Sequence, residues 1–403
     1  MKYAVILGDG MADWKIKELG DKTCLEAAKT PTFDRLAPCS EIGLCTTVPQ
    51  GLKPGSDVAN MSVLGFDPHA FYTGRSPIEA VAMGINLKPT DVTLRCNLVT
   101  LSKDEPYEQK TMIDYSAGEI STEEATELIN ALKSKIESDK FKLYAGIAYR
   151  HCLVAENGAK GHELTPPHDI TDRKITEYLP KGANADIYLK FMKESFEILS
   201  NHPVNIKRVK EGKNPANSIW LWGEGTKPAL ENFEKLRKLK GGIISAVDLI
   251  NGIGILAGMK VIEVEGITGN YETNFTGKAN AAADELLKGL DFVYVHMEAP
   301  DECGHHGDIE HKVYSIEQVD GVLNTFIKRM QEAGEDFAVL VCPDHPTPCA
   351  IKTHVSDPIP YLIYSSKKDL GVGATRYTED EAKKTGIYLA EGHKLIEKLF
   401  KIK

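Results

Sequence analysis

No stretch of the 403-residue chain approaches the roughly 20 consecutive apolar residues that cross a bilayer, which excludes a membrane-spanning helix. Excess positive charge is also missing. Lys and Arg number 48 against 58 Asp and Glu, a net charge of −10. That balance argues against general binding to nucleic acid or to an anionic membrane surface. It does not exclude a small anionic substrate, which a few local cations or metal ions can hold. No C-x-x-C pair occurs: Cys24, Cys39, Cys45, Cys96, Cys152, Cys303, Cys342 and Cys349 are scattered, as expected of reduced thiols in a cytoplasmic protein. There is no G-x-x-x-x-G-K-[ST] loop, so any phosphate chemistry runs without a P-loop. Internal repeats and low-complexity tracts are absent. The opening segment, MKYAVILGDG, reaches Asp9 after a short apolar run and reads as a strand, not a signal peptide.

What is present is a globular composition, 42% hydrophobic and 26% charged, in a chain long enough for two domains or one with a large insertion. Three apolar runs share one grammar. YAVIL (3–7) meets Gly8-Asp9-Gly10, DFVYVHM (291–297) meets Glu298-Ala299-Pro300-Asp301, and DFAVLVC (336–342) meets Pro343-Asp344-His345. Such near-continuous runs suit central strands buried on both faces. Ligands in open α/β sheets bind beyond the carboxyl ends of the strands, so three strands each followed by a carboxylate make a site-like pattern. Helices are expected between them, at TFDRLA behind a Thr30 N-cap and Pro31, at 278–289 and at 312–333. Strands and helices in alternation imply a mostly parallel sheet. The middle, with VTLRCNLVTL, FKLYAGIAYRHCLV and NSIWLWG, reads as a separate α+β unit. The expected division is 1–90 and 235–403 for the site-bearing domain, with 91–234 inserted.

Asp9, Asp301, His305, Asp344, His345 and His354 carry the chemistry. Asp301 and His305 stand at i and i+4, which share a face on a helical turn. Carboxylate with imidazole suits Mn, Zn or Mg, imidazole tilting the choice towards Mn or Zn. Two such clusters can clamp both oxygens of an in-line phosphoryl displacement. Each residue alone reads more simply as a turn residue, a cap or a core histidine; the joint pattern is what points to metal. In PGSDVANMSVLG (54–65), Gly55 permits a tight turn, and Ser56 stands near a helix N-terminus, where N–H groups favour phosphate. Taken alone, that segment is also a plain Ser N-cap with Asp57 following.

The stretches GDGMAD (8–13), KTPTFDRLA (29–37), PGSDVANMSVLG (54–65), YTGRSPIEA (72–80), RCN (95–97), YRH (149–151), TPPHDI (165–170), APDECGHHGD (299–308), PDH (343–345) and THVSDPIP (353–360) resemble the 2,3-bisphosphoglycerate-independent phosphoglycerate mutases, archaeal-type branch, of the alkaline phosphatase superfamily. The resemblance implies an alkaline-phosphatase-like, mostly parallel α/β sheet flanked by helices, with a smaller inserted α+β domain. It implies two divalent metal ions and no 2,3-bisphosphoglycerate. One ion would lie among Asp9, Ser56, Asp344 and His345, the other among Asp301, His305 and His354. Ser56 would be the phosphorylated nucleophile. Arg75, Arg150, His151, His168 and Asp169 would contact a small phosphorylated anion, and the insertion would close over it. The implied activity is interconversion of 3-phosphoglycerate and 2-phosphoglycerate, a glycolytic isomerisation.

Two departures bear on the acceptor. Asn60 stands where related mutases often carry histidine, and amide cannot carry a proton. NSIWLWGEG (217–225) resembles a bacterial subgroup proposed as homoserine kinases, which keeps a homoserine kinase-like phosphotransferase of threonine biosynthesis as the alternative. A non-enzymatic metal-binding protein on the same fold is the third reading.

Overall fold

The computed structural model describes residues 1–402. The chain divides into two compact units, Met1–Tyr72 with Leu230–Lys403, and Thr73–Ala229. The inserted unit thus starts and ends earlier than the expected 91 and 234. The reason is local: the Ser76–Ala82 helix packs on two strands of the insertion's own sheet.

Strands β1 (Lys2–Gly8) and β2 (Glu41–Cys45) belong to the first unit. Next come β3 (Val92–Leu101), β4 (Met112–Asp114), β5 (Phe141–Tyr144), β6 (Arg150–Ala155) and β7 (Ser218–Thr226) of the second. The chain then returns with β8 (Gly241–Ile244), β9 (Lys260–Val261), β10 (Phe292–Met297), β11 (Phe337–Cys342), β12 (Ile359–Ser365) and β13 (Tyr388–Leu389). The first unit is an eight-stranded sheet in the order β13-β2-β12-β11-β1-β10-β8-β9. Its centre is parallel, β1 lying between β10 and β11, and only the pairings of β12 are antiparallel.

The three expected runs are β1, β10 and β11, all but fully buried, as strands covered on both faces must be. Burying each large apolar side chain there contributes about 1.5–3 kcal/mol. One face packs under the Phe275–Leu287 and Ile309–Glu332 helices through Ala4, Ile6, Val293, Val295 and Val339. Residues two apart share a face, so Phe292, Tyr294 and His296 look the other way. There Phe292 meets Phe233 and Phe400. Because the central strands run parallel and in register, with Gly8 opposite Met297 and Leu7 opposite Cys342, their carboxyl ends line one edge. Among the described residues, no helix is long and apolar enough to cross a membrane.

Helix starts show where local rules stop. Thr30 occupies the N-cap of the Pro31–Leu36 helix but its side chain caps nothing. The orphan Thr32 and Phe33 N–H groups donate instead to Asp320, 3.2 and 2.7 Å away and distant in sequence.

The second unit is an antiparallel sheet, β4-β3-β6-β5, with β7 also on β3. The Thr122–Ile136 and Asp186–Leu199 helices close its core over Leu94, Leu98, Leu128, Leu153, Phe191 and Trp220.

Candidate active site

All seven residues expected around metal converge at the carboxyl edge of the first unit's sheet. Asp9 leaves β1, Asp344 and His345 leave β11, and Asp301 and His305 ride the Ala299–His306 helix after β10. His354 comes from the segment between β11 and β12. Gly10 makes the convergence possible. Its φ is +59°, and a Cβ there would fall 2.5 Å from Asp301 Oδ1. Gly304 does the same for the 346–354 segment, since a Cβ would meet Thr347 O at 2.5 Å.

The Asp301–His305 pair has the i,i+4 geometry, with Nε2 3.2 Å from Oδ2. His354 Nε2 lies 3.5 Å from Asp301 Oδ1 and 2.8 Å from His305 Nε2. His305 Nδ1 donates to Lys352 O at 3.0 Å, which leaves its Nε2 lone pair facing His354. Two imidazole nitrogens this close repel unless a cation or a shared proton joins them. The Asp301 hydrogen bond pushes His305 up to about 9. Burial opposes ionisation of Asp301, yet hydrogen bonds from His305 and His354 hold its carboxyl well below the ordinary range.

The second set is more deeply buried. His345 Nε2 stands 3.3 Å from Ser56 Oγ, 3.3 Å from Asp344 Oδ2 and 3.6 Å from Asp9 Oδ1. Asp344 Oδ1 accepts from the Gly10 and His345 N–H groups at 3.1 and 2.8 Å. Burial, then the neighbouring Asp344, Glu298 and Asp301, drive Asp9 well above a normal carboxyl, and its buried Oδ1 has no hydrogen-bond partner among the described residues. This pattern fits metal ions. Buried carboxylates that repel one another, an orphaned oxygen and facing imidazoles form an O/N donor set lacking positive charge. Asp301 with His305 and His354, and Asp9 with Asp301 and His345, place ligand atoms within 4.8 Å of one another.

Ser56 is the first residue of its helix, with Gly55 in the N-cap position, so the simple Ser N-cap is not what forms. Nor does Gly55 make a strained turn: its φ of 175° is extended backbone open to any residue. Ser56 Oγ instead faces His345. Asp57 Oδ1 accepts from Val58 N at 2.9 Å, and Tyr72 Oη donates to its Oδ2 at 2.5 Å.

The sequence reading missed the groups that hold the ligands. His296, fully buried, lies 2.7 Å from Asp9 Oδ2 through Nε2 and 3.1 Å from Ser245 Oγ through Nδ1. Glu298, pushed up to about 8 by burial and then Asp301, joins Asp9 and His296 as a third group of donors. Burial pushes Lys278, which donates to His296 O at 2.8 Å, down to about 8. Thr347 Oγ1 donates to Asp301. The signal was present in DFVYVHME, where a histidine and a glutamate end an apolar run.

In the second unit Glu79 is the focus. Arg75 Nε donates to Glu79 Oε1 at 2.7 Å, and Arg95 Nε lies 2.9 Å from its Oε2. Burial works against ionisation of Glu79, but the charges of Arg95, Arg75 and Arg150 keep it below a normal carboxyl. Arg95, absent from the expected contacts, stacks 4.3 Å over Trp222, whose ring is 5.4 Å from that of His168. His168 and Asp169 pair at 3.4 Å in an exposed position. His151 is only 4% exposed; its Nδ1 accepts from Gly146 N at 3.0 Å, and its buried Nε2 has no partner among the described residues.

Residues 37–205 match the family described as 2,3-bisphosphoglycerate-independent phosphoglycerate mutase. A Methanosarcina barkeri protein of that name is 49% identical over 405 aligned positions covering 100% of both chains. Among solved structures, a Pyrococcus horikoshii protein superposes with a TM-score of 0.82 at 29% identity, covering 99% of this chain and 96% of its own. A cofactor-independent phosphoglycerate mutase from Thermoplasma acidophilum gives 0.66 at 25%, covering 100% of both. With identity near one half sustained from end to end, the chain belongs to the 2,3-bisphosphoglycerate-independent phosphoglycerate mutase family.

Proposed function

We propose that this chain interconverts 3-phosphoglycerate and 2-phosphoglycerate by passing the phosphoryl group through Ser56. The observation that carries the proposal is the setting of that hydroxyl. It opens a helix, stands 3.3 Å from His345 Nε2, and adjoins buried carboxylates that call for cations. The relatives' names support the same reading.

In this proposal Ser56 Oγ attacks phosphorus, the bond from phosphorus to the C3 oxygen breaks, and the serine proton is balanced by the one the glycerate oxygen gains. Glycerate turns in place. Its C2 hydroxyl then takes the phosphoryl group back, and the serine is regenerated. The phosphoryl store is the enzyme's own serine, so 2,3-bisphosphoglycerate is not needed. The N–H groups at the start of the Ser56–Val63 helix favour the added charge. Asp9, Ser56, Asp344 and His345 would hold one divalent ion, and Asp301, His305 and His354 another, with Mn or Zn favoured over Mg. Bound there, the ions neutralise transferring oxygens and make the serine hydroxyl more acidic. Arg75, Arg150, His151, His168 and Asp169 are the proposed contacts to the small phosphorylated substrate. Guanidinium forks match its phosphate and carboxylate oxygens.

The test couples product to enolase, with 3-phosphoglycerate supplied and bisphosphoglycerate left out. Conversion that a chelator stops and manganese restores supports the proposal. No conversion with manganese, zinc or magnesium sinks it and turns attention to other hydroxyl acceptors, homoserine first.

A further inference from the structure

Asn60 is a poor choice for a helix interior, since asparagine competes with the backbone for hydrogen bonds. Yet it sits fully buried one turn after Ser56, inside the Ser56–Val63 helix. Its side chain is completely engaged. One Nδ2 proton goes to Ser56 O at 2.9 Å and the other to Asp344 Oδ2 at 2.8 Å. Its Oδ1 accepts from Tyr294 Oη at 2.6 Å. Tyr294 is buried in β10, touches the site through this bond, and comes from the strand next to the one carrying Asp9.

We infer that Asn60 and Tyr294 are a positioning pair that sets the nucleophile's turn against the metal-facing carboxylate of Asp344. This rests on the metal-assisted Ser56 reading above. The hydrogen bonds run in one direction: phenol to amide oxygen, amide protons to the serine carbonyl and to the carboxylate. The two acceptors, Ser56 O and Asp344 Oδ2, fix which end of the amide faces them, and the phenol holds the amide there by donating to its Oδ1. Were the amide flipped, its oxygen would oppose two acceptors and its NH₂ would meet the hydroxyl. With Gly10 and His345 N–H on one oxygen and Asn60 on the other, the Asp344 carboxylate has a single plane. A neutral imidazole offers one donor and one acceptor and cannot serve these three partners. The asparagine is therefore matched to its tyrosine. Groups that orient a ligand in this way typically change metal affinity or activity 10–100-fold when removed.

The test is a double-mutant cycle on the full chain, with Tyr294→Phe, Asn60→Ala and the pair. Manganese affinity is measured by calorimetry without substrate, melting temperature in chelator, and kcat and KM separately. Tyr294→Phe removes one atom that contacts no ligand. It is expected to weaken manganese binding and lower kcat about tenfold each, with KM and the metal-free melting temperature near wild type. Added to Asn60→Ala, it is expected to cost nothing further, because the tyrosine acts only through the amide. Manganese affinity within twofold of wild type for Tyr294→Phe, or losses that multiply in the double variant, overturn the inference. Because calorimetry uses no substrate, the positioning role stands or falls separately from the mutase reaction.

Discussion

Acid sensitivity of the second unit follows from one side chain. Burial pushes His151 down to about 3, whereas an unfolded histidine titrates near 6.5. Its Nδ1 is occupied by the Gly146 N–H, so protonation would break that bond and place a charge in a site that is only 4% exposed. Above pH 6.5 both states are neutral and the histidine is without effect. Below it, the unfolded chain takes up a proton that the native unit refuses, so stability falls as pH falls. At about 1.36 kcal/mol per unit, the loss is about 2 kcal/mol at pH 5 and about 4 kcal/mol at pH 3. His151→Gln removes the titration while leaving an oxygen able to accept from Gly146. Urea unfolding in chelator, followed by tryptophan fluorescence, reports mainly on this unit, since Trp220 and Trp222 are buried in it while Trp14 of the first unit is already exposed. The variant is expected to lose about 2 kcal/mol less than wild type between pH 7 and pH 5. Equal losses in the two proteins would refute the reasoning, because the histidine would then be free to protonate in the native state.

Other outcomes are as specific. Ser56→Ala is expected to abolish coupled turnover while calorimetry still detects manganese, since six of the seven proposed donors remain. Lys312→Met should destabilise the first unit by about 3–5 kcal/mol in urea unfolding. The Lys312 ammonium is fully buried and binds Asp13 Oδ2 at 2.8 Å and Thr347 O at 2.7 Å, so its removal strands a buried carboxylate. His296→Ala leaves Asp9 Oδ2 without its imidazole and should weaken manganese binding about 10–100-fold, read by calorimetry.

The ends of the central strands were legible because their chemistry is local. An apolar β-branched run, then glycine or proline, then a carboxylate announces a strand delivering Asp9, Asp301 or Asp344 to an edge. The Asp301–His305 spacing was equally plain, being fixed by one helical turn. What escaped depends on partners distant in the chain. Tyr294 and His296 read as members of an apolar strand, and only the pleat turns both towards the Ser56 helix and Asp9. Asp320 caps a helix nearly 290 positions earlier, displacing the expected role of Thr30. The boundary of the inserted unit was misplaced because a short helix, Ser76–Ala82, precedes the sheet it packs on.

The central claim, that the phosphoryl group passes through Ser56, is tested most directly by acid-quenching the manganese-loaded protein during turnover of 3-phosphoglycerate and mapping its peptides by mass. The account predicts one added phosphoryl group on the peptide holding Ser56, present only with substrate and absent from Ser56→Ala. Turnover at full rate without that adduct, or a phosphoryl group on another residue, would contradict it.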